Sequence, residues 1–182
     1  QKGHDEPAQL QAGYKAVITC LDSGDVDGAR QQAMALYQQS PGSSTALKAV
    51  GLALNAEGKQ EAACTALQQA LAIDPQDTEL SFTLGTLYLA NARYQQAEQT
   101  LVHQLQHAPS HEGAAGALAE AQLKQYKPAD AQSTCQHALA RLGDRPALLS
   151  YLAQALQAQA KDEEAIATYR KALQLAPGNL TA

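Results

Sequence analysis

The sequence is poor in aromatic and charged residues. It contains no tryptophan and a single phenylalanine, Phe82, and only 17% of its 182 residues are charged. The formal net charge is −5, and no basic stripe is present to neutralise phosphates, so the composition argues against a nucleic-acid partner. The same shortage of cations disfavours an anionic membrane surface. No apolar run approaches the roughly 20 residues of a membrane-spanning helix, so we expect no transmembrane segment.

Cysteine is also scarce. Cys20, Cys64 and Cys135 lie far apart, and none belongs to a C-x-x-C pair of the kind that binds zinc or performs redox chemistry. We interpret them as small buried or half-buried apolar residues. A reactive thiol and a disulfide that links a dimer are the alternatives.

The groupings that catalysis needs do not stand out. We find no Ser/His/Asp arrangement, no glycine-rich phosphate loop and no pair of carboxylates placed for acid–base chemistry. His103 and His107 have a spacing that can chelate a metal, but no glutamate stands next to His103 as in zinc hydrolases. We interpret both as surface histidines. We therefore expect no enzyme activity, no catalytic residue, no cofactor and no metal site.

What the chain does contain is one pattern of 34 residues, present five times without an insertion. Its most constant position is an alanine, found at Ala29, Ala63, Ala97, Ala131 and Ala165. Twelve residues later comes a residue that stops a helix, namely Pro41, Pro75, Pro109, Gly143 and Pro177. A fixed period in this range is the signature of a stacked repeat array.

Each copy divides into two stretches with helical periodicity. In the second copy, apolar residues recur at three- and four-residue steps over 45–56 and again over 60–73. Small residues at the eighth and twentieth positions of each copy allow the two helices to approach closely. One such pair cannot bury its apolar face alone, so we expect the five pairs to stack on one another.

The spacing resembles the tetratricopeptide repeat (TPR) family, whose pattern is W-x2-L-G-x2-Y, then A-x3-F, then P. The third copy is the most similar, with Leu84-Gly85, Tyr88, Tyr94, Ala97, Leu101 and Pro109 in order. The first and fourth copies depart from the pattern, because Gly13 and Ala115 stand where the family prefers a large aromatic residue.

The resemblance implies an all-α fold, a right-handed superhelical α-solenoid of five antiparallel helix pairs. The predicted repeats are 10–43, 44–77, 78–111, 112–145 and 146–179. We expect a disordered polar leader at 1–9 and a short tail at 180–182.

In this family the first helix of each pair lines a concave groove that binds a protein or peptide partner. Carried over by repeat position, the candidate groove residues are Tyr14, Ile18, Leu21, Lys48, Leu52, Asn55, Phe82, Thr86 and Leu89. The apolar members would form a strip that an amphipathic helix or an extended peptide could bury. Alternatively, some of them pack between helices and the strip is broken. Family members that bind chaperone tails combine Lys and Asn at two of these positions, and that combination is absent here.

The last predicted helix carries Ile166, Tyr169 and Leu173, some of which would meet water. We expect either a homodimer through the C-terminal repeat or a natural chain that continues further.

By resemblance, the function is that of a non-catalytic interaction scaffold in bacterial secretion or pilus assembly. Such proteins are often exported lipoproteins, which would place this one in the bacterial periplasm or cell envelope. The alternatives are an accessory module of a larger transferase or hydroxylase, and a cytoplasmic secretion chaperone.

Overall fold

The computed structural model describes residues 8–176. Within that range the secondary structure consists of ten α-helices and no strand. The helices are α1 (Ala8–Asp22), α2 (Val26–Gln39), α3 (Ser44–Ala56), α4 (Gln60–Ile73), α5 (Thr78–Ala90), α6 (Tyr94–His107), α7 (Glu112–Lys124), α8 (Pro128–Leu142), α9 (Pro146–Gln157) and α10 (Asp162–Leu175). The predicted all-α class is confirmed.

The first helix begins two residues before the first predicted repeat. Ala8 and Gln9 belong to the first turn of α1, whereas the pattern placed the start of the first repeat at Leu10. Both side chains are exposed, so hydrophobic periodicity could not detect them as helical. Residues 1–7 of the leader, Pro177 and the tail 180–182 lie outside the described residues.

The chain divides into two compact units, residues 1–80 and 81–182. In the N-terminal unit, α1 packs on α2 and α3 packs on α4, while α3 also contacts α1 and α2. Its core is built largely from alanine and includes Val17, Ala29, Leu36, Ala49 and Ala53.

Small residues bring the two helices of a pair together, as the sequence indicated. A Cβ atom added at Gly51 would lie 2.6 Å from Leu67 Cγ, so any larger residue would push α3 away from α4. The same relationship holds in the C-terminal unit, where a Cβ at Gly85 would lie 2.7 Å from Leu101 Cγ. The glycines are therefore explained by packing.

In the C-terminal unit, α7 packs on α8 and α9 packs on α10, and α7 and α9 also contact each other. One core cluster joins Ala119, Cys135, Leu152 and Leu156. The helices end where the sequence predicted, since α6 stops before Pro109 and α8 stops before Gly143.

The turn within each pair has the same backbone in all five copies. A residue with positive φ occupies the fifteenth position, at Gly24, Gly58, Ala92, Tyr126 and Ala160. The next residue donates its N–H to a carbonyl five residues earlier, as Lys59 does to Leu54 and Lys127 does to Gln122. This is the geometry of a Schellman helix end.

The cysteines are free, with Cys20 half-buried and Cys64 and Cys135 buried. The expectation that they are buried or half-buried is therefore confirmed. Burial raises the pKa of the Cys135 thiol to about 12, which leaves it unreactive near neutral pH. The helices that the structure describes are too short or too polar to cross a bilayer.

Candidate functional site

The predicted groove residues of the N-terminal unit lie on α1 and α3, two helices that contact each other. Tyr14, Ile18 and Leu21 on α1 are all half-buried, and so is Leu52 on α3. Asn55, one helical turn beyond Leu52, is exposed. These apolar side chains are thus partly open to solvent and partly packed, which is the condition that a binding surface requires.

Lys48 differs from the other predicted groove residues because its charge is already bound within the chain. The residue is only 6% exposed. Its Nζ donates to Glu79 Oε2 at 3.0 Å and to Asp77 Oδ2 at 3.3 Å, and it lies 5.4 Å from the centre of the Tyr14 ring. Two carboxylates of the chain therefore already hold the Lys48 ammonium.

The partners of Lys48 also organise the start of the next helix. Asp77 Oδ1 accepts a hydrogen bond of 2.8 Å from the backbone N–H of Leu80 in the first turn of α5. Two carboxylates thus face one ammonium. Burial raises the pKa of Tyr14, and the Lys48 ammonium opposes that shift.

The predicted residues of the C-terminal unit lie on α5. The half-buried Phe82 ring packs 4.6 Å from the His111 ring, measured between centroids, and a Cβ at Gly113 would lie 3.0 Å from Phe82 Cζ. His111 in turn caps α7, because its Nδ1 accepts the backbone N–H of Ala114 at 3.0 Å. Phe82 therefore covers the beginning of α7.

Thr86 and Leu89 continue the same side of α5 and are half-buried. Thr86 donates its hydroxyl to the Thr83 carbonyl at 2.9 Å, so part of its polarity is satisfied locally.

Sequence reasoning missed Tyr151. Its ring lies over Gly116, where a Cβ would be 3.3 Å from Tyr151 Cε2, and its hydroxyl donates to Glu120 Oε2 at 3.0 Å. Burial and the Glu120 carboxylate raise the pKa of Tyr151 to about 12. The sequence did contain a signal, namely Gly116. The same repeat position carries the large residues Tyr14, Lys48 and Phe82 in the first three copies, so a glycine there leaves room for a side chain from another helix.

His103 and His107 pack against each other, with ring centroids 4.8 Å apart. His103 is half-buried and His107 is exposed. Among residues 8–176 there is no group of three or more His, Cys, Asp or Glu side chains placed to hold a metal ion.

Helix pairs that repeat every 34 residues, with half-buried apolar residues on their first helices, define the class of repeat proteins that present a surface to other proteins. Three family models described as tetratricopeptide repeat match residues 14–78, 54–121 and 146–179. The chain belongs to the tetratricopeptide repeat family, which generally provides scaffolds for protein–protein interaction.

Solved structures share the fold. A MamA RS-1 double mutant has a TM-score of 0.82 at 17% identity, with 97% of this chain and 99% of that chain covered. MamA 41-end from Desulfovibrio magneticus RS-1 also has a TM-score of 0.82 at 17% identity, with 95% and 98% covered. PilF from Pseudomonas aeruginosa has a TM-score of 0.76 at 21% identity, with 94% and 78% covered. These similarities support the all-α solenoid. A search of curated protein sequences found no significant match.

Proposed function

We propose that this chain is a non-catalytic scaffold that binds an amphipathic helix or an extended peptide on α1 and α3. One observation carries the proposal: Tyr14, Ile18, Leu21 and Leu52 are apolar, half-buried and placed on two helices in contact. Side chains of a partner could bury the remaining apolar area, which contributes roughly 25 cal/mol per Å².

The charges near this surface indicate which kind of partner segment would bind it best. The Lys48 cluster has one ammonium and two carboxylates, and the Glu79 side chain is 75% exposed. Asp22, at the end of α1, is exposed as well. A partner segment that combines apolar residues with flanking Lys or Arg complements this surface better than an acidic one does.

A capture experiment tests the surface. The immobilised chain and its Leu52→Ala variant are incubated with a lysate of the source organism. Met34→Ala is the matched control, since Met34 is 46% exposed and lies on α2, not on α1 or α3. Phe82→Ala tests α5 in the same way. We expect Leu52→Ala to lose the partner that the wild type and Met34→Ala retain. Unchanged capture by both Leu52→Ala and Phe82→Ala would overturn the assignment, provided circular dichroism shows both variants folded.

We also propose a role in bacterial secretion or pilus assembly, and a location in the periplasm or cell envelope. The support is the resemblance of this repeat number and chain size to scaffolds of those systems. Fractionation of cells that express the tagged natural protein tests the location. Recovery with a cytoplasmic marker would contradict it.

Self-association through the C-terminal repeat is a further part of the proposal. Ile166 is 50% exposed and Leu173 is 39% exposed on α10. At the repeat position of Leu173, the half-buried Leu139 lies on α8, which α9 covers. A second copy could cover α10 in the same manner. Light scattering after size exclusion should give a dimer that Leu173→Lys disrupts and Gln174→Lys does not. A monomer at high concentration would refute this part.

A further inference from the structure

In four of the five repeats, the fourth and twenty-seventh positions combine a small residue with a larger one. In the first copy Gly13 faces Leu36, whose side chain occupies the space that a Cβ on Gly13 would need. The second and fifth copies reverse the order, with buried leucines at Leu47 and Leu149 and alanines at Ala70 and Ala172. The third copy combines Ser81 with Gln104, and both are buried.

The fourth copy breaks this rule, because Ala115 and Ala138 are both small. Both line a cleft of about 390 Å³ between α6, α7 and α8, within the C-terminal unit. Val102, Leu105 and Leu118 supply further apolar walls. The volume lies within the range of roughly 300–1,000 Å³ that small-molecule sites occupy.

The polar side of the cleft is basic. Arg141 and His137 lie on α8 with Thr134 beside them, and no lining residue is acidic. Arg141 forms no ion pair with any residue in the range 8–176, and the nearest polar contact of His137 is Ser133 Oγ, 3.5 Å from Nδ1. A ligand with an anionic group would complement the Arg141 guanidinium.

We propose that this cleft binds a small aromatic carboxylate. Its ring would lie against Val102, Leu105 and Leu118, with the buried Ala115 and Ala138 at the base of the cleft, and its carboxylate would pair with Arg141. The site is separate from the surface on α1 and α3, so it does not depend on the proposed function.

Heteronuclear NMR of the isotope-labelled chain tests the proposal with phenylpropionate as the probe. Phenylpropanol and phenylpropylamine have the same ring without the negative charge. We expect shifts of the Leu118 and Ala138 amides, and binding of the acid about fivefold tighter than that of the alcohol. Equal affinity for all three probes, or no shift with any of them up to about 10 mM, would overturn the proposal.

Two variants separate the ring from the charge. Ala115→Leu restores the pairing of leucine with alanine seen in the second and fifth copies, so it should abolish binding of both acid and alcohol while the melting temperature holds or rises. Arg141→Gln should reduce the affinity of the acid to that of the alcohol. Gln136→Ala, exposed on α8 outside the lining, is the control and should change neither. Retained binding by a folded Ala115→Leu would refute the site.

Discussion

The ammonium of Lys48 donates to the carboxylate of Glu79 at 3.0 Å while the Lys48 side chain is only 8% exposed. Burial acts to lower the pKa of Lys48, but the hydrogen bond to Glu79 and the attraction of Tyr14 and Asp77 outweigh it and raise the pKa above 10.5. The folded chain therefore holds this proton more tightly than the unfolded chain does.

We expect Lys48→Met to lower the free energy of unfolding by about 1–3 kcal/mol, because two carboxylates lose a partly buried charged donor. Since the pKa of Lys48 is raised on folding, the contribution of its charge to the unfolding free energy is fully present below the unfolded pKa. It is lost as the pH rises through the folded pKa. Urea unfolding at a series of pH values measures it. The difference between wild type and variant should be constant near neutral pH and should shrink above about pH 10.5.

The control is Lys15→Met, since Lys15 is exposed on α1 and its replacement should change the unfolding free energy little. A Lys48→Met difference that is the same at about pH 7 and about pH 11 would show that the charge is not what stabilises the cluster.

Glu98 accepts hydrogen bonds from three side chains, at 3.4 Å from Gln122, 2.9 Å from Gln125 and 2.7 Å from Lys127. Burial acts to raise its pKa, but these donors, led by Lys127, lower it below 4.5. We expect Glu98→Gln to reduce the unfolding free energy by about 1 kcal/mol at neutral pH. Because the pKa is depressed on folding, this contribution is present above the unfolded pKa and lost as pH falls through the folded value, so urea titrations should show the difference shrinking as the pH falls below about 4.5.

The next repeat allows the reverse substitution, of glutamine by glutamate, at the same position. Gln132 occupies the position of Glu98, and its Oε1 accepts from Gln159 at 2.8 Å and from Lys161 at 3.2 Å. Gln132→Glu should therefore raise the unfolding free energy by about 0.5 kcal/mol near neutral pH. Unchanged stability in both Glu98→Gln and Gln132→Glu would mean that these networks need an acceptor but no charge.

The helix pairs could be predicted from the sequence because their cause is local and repeated. Ala29, Ala63 and Ala97 are fully buried, since each lies where two helices of a pair approach, and any larger side chain would separate them. One such alanine carries little information. Five at a constant interval define the register of the whole array.

The side-chain partners could not be predicted in the same way. Lys48 contacts Asp77 and Glu79 across 29 and 31 residues, and repeat position alone does not reveal whether a groove cation is already neutralised. Tyr151 was missed because it stands at the sixth position of its repeat, whereas the candidate groove residues stand at the fifth, ninth and twelfth positions. Glu79 belongs to the repeat after that of Lys48, and Glu120, which accepts from Tyr151, belongs to the repeat before that of Tyr151.

Gln104 is fully buried, and neither its Nε2 nor its Oε1 has a hydrogen-bond partner within residues 8–176. It stands at the twenty-seventh position, which carries Leu36 in the first copy. Because an unpaired buried polar group costs about 1–3 kcal/mol, we expect Gln104→Leu to raise the unfolding free energy by roughly that amount. Thermal and urea unfolding of the two chains measure the gain.

Gln122 provides the contrast. It is also buried, but its amide donates to Glu98 and its carbonyl oxygen accepts from Thr134 at 2.9 Å. Gln122→Leu should therefore destabilise the chain, since it removes the acceptor of the Thr134 hydroxyl and one of the three side-chain donors to Glu98. Equal effects of the two substitutions would indicate that side-chain volume, not hydrogen bonding, decides the result.

Tyr126 combines a left-handed backbone, with φ of 58°, and a side chain that is 92% exposed. At the same turn position Gly24 and Gly58 have φ values of 77° and 76°. The left-handed conformation costs a residue with a Cβ roughly 1 kcal/mol, and glycine avoids this cost. Glycine also increases the conformational entropy of the unfolded chain, which offsets part of the stabilisation. We expect Tyr126→Gly to raise the unfolding free energy by about 0.5 kcal/mol, measured by urea.

Tyr126→Ala separates backbone strain from loss of the ring, because alanine keeps the Cβ and already occupies this position at Ala92 and Ala160. It should leave the stability unchanged, whereas Gly58→Ala should lower it by about 1 kcal/mol. If Tyr126→Ala stabilises as much as Tyr126→Gly, the exposed ring is the destabilising feature and the left-handed turn costs this repeat nothing. If only Tyr126→Gly stabilises the chain, the cost comes from the left-handed backbone. In that case the helix pair imposes the backbone conformation of the turn on whichever residue occupies it.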